Sequence, residues 1–172
     1  MSRLQPFIDP ADYPLDRVQM TVEECMRRNP QRHEFLQLDS ILYLSLEENL
    51  IVGHRHLRGD EFWVRGHLPG RPLFPGVLQV ETMAQVASIH AHAKLELAED
   101  VFMGFGAVDD VRFRQEVPPS VDLWIAGRIK KANKRRPFFR WEGQMLYGDG
   151  AGDMARFVAT HPRRDVPGST YM

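Results

Sequence analysis

Between Gly66 and Gln85 the chain sets one histidine, one glycine-rich turn and one carboxylate around the start of a helix. The order is Gly66-His67-Leu68-Pro69-Gly70, then Phe74-Pro75-Gly76-Val77, then Glu81-Thr82-Met83-Ala84-Gln85. A histidine takes or gives a proton near neutral pH. A glutamate makes the complementary transfer when its surroundings tune it. The N-terminus of a helix offers backbone N–H groups without intrahelical partners, and these can hold a developing oxyanion. Together they are the ingredients of proton transfer next to a carbonyl.

Each residue has a plainer reading. A lone histidine is usually structural or on the surface, but the glycines and prolines around His67 impose an unusual backbone there. Glu81 fits a solvent-facing early-helix acid, favoured by the helix dipole. The helix, however, is apolar nearly all round, and an isolated carboxylate is costly to bury. A carboxyl group in low dielectric favours its protonated form, which suits an acid. Gly76 serves either a tight turn or a close approach of substrate to backbone. Gln85, one turn after Glu81, either orients that carboxylate or a water, or is an ordinary polar neighbour. Ser88 and His92 continue the same stripe, and a polar helix face accounts for both. His54 and His56 share a strand face, and a metal held with His67 is conceivable. No cysteine cluster or His-Glu-x-x-His motif supports one, so no metal site is expected.

These residues need positioning elements. Thr21-Val22-Glu23-Glu24 reads as a capping box opening a short helix that stops before Asn29-Pro30. Residues 36–46 and 50–57 alternate as two strands around Glu47-Glu48-Asn49. The long helix begins at Pro75 or Gly76 and runs to about Leu97; proline suits a first turn, and apolar residues around the whole circumference predict burial. Strand-like stretches follow at 102–111, 121–130, 138–147 and 155–161. A single long buried helix with antiparallel strands is an α+β pattern. Residues 1–20 form an irregular, proline- and aspartate-rich arm, either free or anchored by Phe7, Ile8, Tyr13 and Leu15. Residues 21–164 form one domain, and 165–172 a tail.

The chain of 172 residues is long enough for one core. Its formal net charge of -1 argues against a dedicated nucleic-acid binder. The single cysteine, Cys25, excludes an intramolecular disulfide and fits a reducing compartment. No apolar run is long enough to cross a membrane, and the N-terminus lacks the apolar core of a secretory signal, so a cytoplasmic location is expected. The segment 128–140 is rich in lysine and arginine, which reads as a solvated hairpin or as a surface that attracts an acidic partner.

The residues from Gly66 to Gln85 resemble the FabZ-type 3-hydroxyacyl-acyl-carrier-protein dehydratases, whose signature runs Gly-His-Phe-Pro-Gly, then Pro-Gly-Val, then Glu and Ala-Gln on a helix. Gly66, His67, Pro69, Gly70, Pro72, Phe74, Pro75, Gly76, Val77, Glu81, Ala84 and Gln85 match; Leu68 replaces the phenylalanine. The likeness extends to Pro30–Asp39, where Gln31, His33 and Glu34 depart from the family's His, Tyr and Pro. Val117-Pro118-Pro119-Ser120 departs from its Val-Pro-Gly-Asp.

The resemblance implies a hot-dog fold, a central helix wrapped by a curved antiparallel sheet. It implies dehydration of (3R)-3-hydroxyacyl thioesters to trans-2-enoyl thioesters in fatty acid or related lipid or polyketide synthesis. His67 and Glu81 would be catalytic, Gly76 N–H would bind the thioester oxygen, and Gln85 would support. Glutamate rather than aspartate at 81 favours simple dehydration over the bifunctional dehydratase-isomerases. In the family the histidine and the acid come from different subunits, which implies a homodimer, or a trimer of dimers, with composite sites. The partner would be an acyl carrier protein bearing a phosphopantetheine-linked chain. No cofactor is needed, because elimination is redox-neutral. A hot-dog thioesterase and a non-catalytic acyl-binding module are the alternatives.

Overall fold

The computed structural model describes residues 8–9, 12–104, 106–135 and 138–148, and the backbone of 156–159. Helix α1 spans Val22–Arg28, and its capping box is formed. Thr21 N–H donates to Glu24 Oε2 at 2.7 Å, and Glu24 N–H returns to Thr21 Oγ1 at 3.4 Å. These bonds satisfy N–H groups that have no partner inside a first turn.

The sheet is five-stranded and antiparallel throughout, in the order β1 (Ser40–Ser45), β2 (Leu50–His56), β3 (Asp122–Asn133), β4 (Phe138–Gly148) and β5 (Arg156–Ala159). The β1–β2 turn takes Asn49 into the left-handed region, at φ 53°. The Asn49 side chain then donates to Ile129 O at 2.8 Å, tying that turn to β3. The first strand begins at Ser40, four residues later than the alternation suggested. A turn of 3-10 helix at His33–Phe35, with His33 at φ 54°, delays the entry into the sheet.

Helix α2 spans Gly76–Leu95 and lies on one face of the sheet. Most of its apolar circumference is buried, with Val86, Ile89 and Ala91 fully enclosed, while Val77 in the first turn is exposed. The helix approaches the sheet so closely at Gly53 that a Cβ there would stand 2.6 Å from Val86 Cγ2. The main core fills this interface, with Leu38, Ile51, Val86, Ile89, Leu123 and Met145 at its centre.

A second apolar cluster covers the other face. Ile8, Leu50, Val52, Ala126 and Leu146 are buried together, with Tyr13, Leu15, Tyr43 and Trp124 against them. The described part of the arm is therefore anchored, through Ile8, Tyr13 and Leu15; Phe7 lies outside the described residues. The Tyr13 and Tyr43 rings meet edge to face at 5.2 Å, and Gln19 acts as a short extra strand on β1. Its Nε2 donates to Leu44 O at 3.2 Å, and Leu44 N–H donates to its Oε1 at 2.6 Å.

One expected element is absent. The stretch 102–111 carries no strand among its described residues. A strand needs a ladder partner, and none of the described strands pairs with it. Its described residues instead form a wall of the cavity beside α2. The expected tail at 165–172 lies outside the described residues.

Candidate active site

The histidine sits on the loop between β2 and α2, and a buried charge network shapes that loop. Arg55 donates to Glu61 Oε2 at 2.5 Å, with both side chains almost wholly enclosed. Trp63 Nε1–H donates to the same oxygen at 3.0 Å, and Arg58 N–H to Glu61 Oε1 at 2.9 Å. Arg55 also donates to Leu36 O at 3.0 Å and lies over the Phe74 ring. An ion pair taken out of water holds only when its remaining hydrogen-bonding capacity is met; here Glu61 is met by three donors.

His67 is exposed, and its backbone N–H donates to Trp63 O at 2.7 Å. Its Nδ1 lies 2.9 Å from Leu73 O. A carbonyl only accepts, so Nδ1 carries a proton, and in the neutral imidazole Nε2 is then the nitrogen with the lone pair. That is the tautomer a general base requires. The His67–Leu68 peptide is cis, and Gly70 takes φ 79°, where its missing Cβ matters.

Gly76 opens α2 behind Pro75. Its φ lies outside the positive region, so the turn itself does not demand glycine. A Cβ there would stand 2.7 Å from Phe113 Cζ, the far end of an exposed side chain. Its N–H has no backbone acceptor among the described residues, as expected of a first helical turn.

Glu81 is half-buried, one turn along α2. Its Oε1 accepts from Gln85 Nε2 at 2.8 Å and from Gln31 Nε2 at 3.0 Å. Oε2 has no hydrogen-bond partner among the described residues. Gln85 is itself saturated. Its Oε1 accepts from Gln37 N–H at 2.9 Å, and its Nε2 also donates to Phe35 O at 2.7 Å. Gln85 therefore touches the Glu81 carboxylate directly. Gln31 was not singled out as a site residue, although it is one of the positions where the chain departs from the family pattern. A contact across 50 residues leaves no local signal.

Glu81 opens into a cavity of about 240 Å³ between α2, the wall segment and β4. Gln31 and Asn29 stand beside the carboxylate, and Val80, Met83, Ala84, Ala87 and Trp141 supply apolar lining. His67 is not among the lining residues, so one chain brings Glu81, Gln85 and the cavity together and leaves His67 apart from them. His54 and His56 share Asp122 Oδ1, at 2.9 and 3.0 Å. Among the described residues no three His, Cys, Asp or Glu side chains converge as a metal site would require. Ser88 and His92 make a local pair, His92 Nδ1 lying 2.8 Å from Ser88 O. In the basic hairpin, Arg128 and Lys130 pair with Glu142, and Lys134 with Glu96.

A long helix on a five-stranded antiparallel sheet, with a loop histidine and a helix carboxylate, defines the class: a hot-dog protein of the FabA-like type. A FabA-like domain model matches residues 29–151, and the chain belongs to that family. Among curated relatives, the 3-hydroxyacyl-(acyl-carrier-protein) dehydratase FabZ of Rhizorhabdus wittichii is 35% identical over 141 residues, 81% of this chain and 88% of that protein. The enzyme of the same name from Moorella thermoacetica is 38% identical over 110 residues, 62% of this chain and 73% of that one. Among solved structures, the dehydratase heterocomplex ApeI:P from Xenorhabdus doucetiae superposes with a TM-score of 0.61 at 16% identity, covering 79% of this chain and 85% of that one. Zebra fish thioesterase superfamily member 2 superposes at 0.52 and 12% identity, covering 82% and 94%. These two establish the hot-dog fold alone.

Proposed function

We propose that the protein is a hydro-lyase that dehydrates (3R)-3-hydroxyacyl thioesters of acyl carrier protein to trans-2-enoyl thioesters. The observation that carries this reading is a carboxylate fixed by two amide donors in the wall of a mostly apolar cavity. The relatives that bear the dehydratase name support it.

In this reading His67 Nε2 removes the C2 proton while Leu73 O holds Nδ1–H in place. Negative charge moves onto the thioester oxygen, which Gly76 N–H stabilises. Glu81 in its protonated form gives its proton to the departing C3 hydroxyl, which leaves as water, and Gln85 holds the carboxyl group in position. His67 and Glu81 come from different subunits of a homodimer, which gives two composite sites, and such dimers can assemble further into a trimer of dimers. Two observations favour a partner chain. His67 lies outside the cavity that holds Glu81, and Val77, Phe102 and Phe113 are exposed apolar residues on the helix start and wall segment. Exposed apolar surface of this kind marks association sites. The reaction is redox-neutral and needs no cofactor. The site would be loaded in the cytoplasm by acyl carrier protein through its phosphopantetheine arm.

The test is incubation of purified protein with crotonyl and longer trans-2-enoyl thioesters of acyl carrier protein, following hydration by mass. Gain of one water is the expected result. Release of free acid and thiol would replace this reading with a thioesterase.

A further inference from the structure

Trp141 lies on β4, half-buried, and lines the same cavity as Glu81. Beneath its ring the sheet is bare. Gly127 and Gly143 are register partners across β3 and β4. A Cβ on Gly127 would stand 1.7 Å from Trp141 Cζ2, and one on Gly143 would stand 2.1 Å from Cζ3. No side chain coexists with the ring at either position. On the helix side, a Cβ on Gly143 would also meet Met83 Cε at 2.8 Å. The indole therefore occupies the layer between the paired glycines and α2.

The ring is also pinned by a hydrogen bond. Trp141 Nε1–H donates to His90 Nδ1 at 3.3 Å. His90 is fully enclosed, and burial, aided by the nearby Lys94, pushes its pKa down to about 4. It is neutral at physiological pH, so Nδ1 is an acceptor.

We infer that the Trp141 indole narrows the cavity beside Glu81 and restricts the length of acyl chain it accepts. Gly143 lines the same cavity, so a smaller side chain at 141 frees the space over the glycine bed that the ring now fills. A tryptophan that merely filled the core would cost stability when replaced and leave chain preference unchanged.

The inference rests on the acyl-thioester reading above, and two readouts separate them. Affinity for saturated acyl-pantetheine thioesters, from butyryl to palmitoyl, reports the cavity alone. Turnover of the matching enoyl thioesters reports the reaction. Trp141→Leu is expected to raise the myristoyl-to-octanoyl affinity ratio about tenfold, the gain of roughly two buried methylenes. Trp141→Phe, which keeps an aromatic ring on the glycine bed, is expected to move the same way by a smaller factor, and it decides the matter if the leucine variant does not fold. An affinity profile identical to wild type in the folded variants overturns the inference, as does a wild type that binds no acyl chain. A shifted affinity profile without turnover on any substrate leaves the inference standing and overturns the dehydratase reading.

Discussion

At the residue scale, the roles of His67 and Glu81 separate from their surroundings by what each atom touches. His67 has one nitrogen occupied and one available, and Glu81 has one oxygen held and one open. Replacing either, as His67→Ala or Glu81→Gln, should lower turnover by about 10²–10⁴-fold, the span of general acid–base catalysis. Gln85→Ala should lower kcat more than it raises KM, because it frees the carboxylate rather than removing a substrate contact; steady-state kinetics distinguishes the two. Two buried groups make expectations independent of activity. Burial pushes the Cys25 thiol up to about 12, so it should resist alkylation in the native protein and react on unfolding. His90, held near 4 against about 6.5 when unfolded, binds a proton more readily in the unfolded chain. Stability is therefore full above about pH 6.5 and falls as pH drops towards 4, by on the order of 3 kcal/mol. Urea unfolding at neutral and acid pH, with His90→Gln as the comparison, measures that share.

At the scale of elements, much was legible because local signals agreed. The capping box at Thr21, the all-round apolar pattern of α2 and the glycine–proline spacing around His67 each specify their own structure. What was not legible depends on partners distant in the chain. Alternation at 102–111 marks extended backbone, but pairing is decided by which sheet edge is within reach. The arm's apolar residues say that it can anchor, not where; its contact surface is an apolar outer sheet face that only the folded register creates. Removing residues 1–19 should therefore expose Leu50, Val52, Ala126 and Leu146, lower the melting temperature and promote association, as size-exclusion chromatography and calorimetry would record. Breaking the Arg55–Glu61 pair as Glu61→Ala strands a buried cation and should cost about 3–5 kcal/mol, with the His67 loop loosened.

At the scale of the whole molecule, the parts of the site do not close within one chain. The cavity holding Glu81 excludes His67, and the apolar residues around the helix start face outward. In the proposed reading, a symmetric dimer supplies each site with a histidine from one subunit and a glutamate from the other. Sequence spacing brought His67 and Glu81 to notice, but nothing in it distinguishes two groups meeting within a chain from two meeting across an axis. The measurement that tests this most directly mixes the His67→Ala and Glu81→Gln proteins under conditions that exchange subunits. Each alone should be nearly inactive on trans-2-enoyl thioesters. Mixed in equal amounts, half the dimers carry both variants, and one of their two sites is intact, so about a quarter of the wild-type activity should return. A mixture that stays inactive after native mass spectrometry has registered the mixed dimer would contradict a composite site.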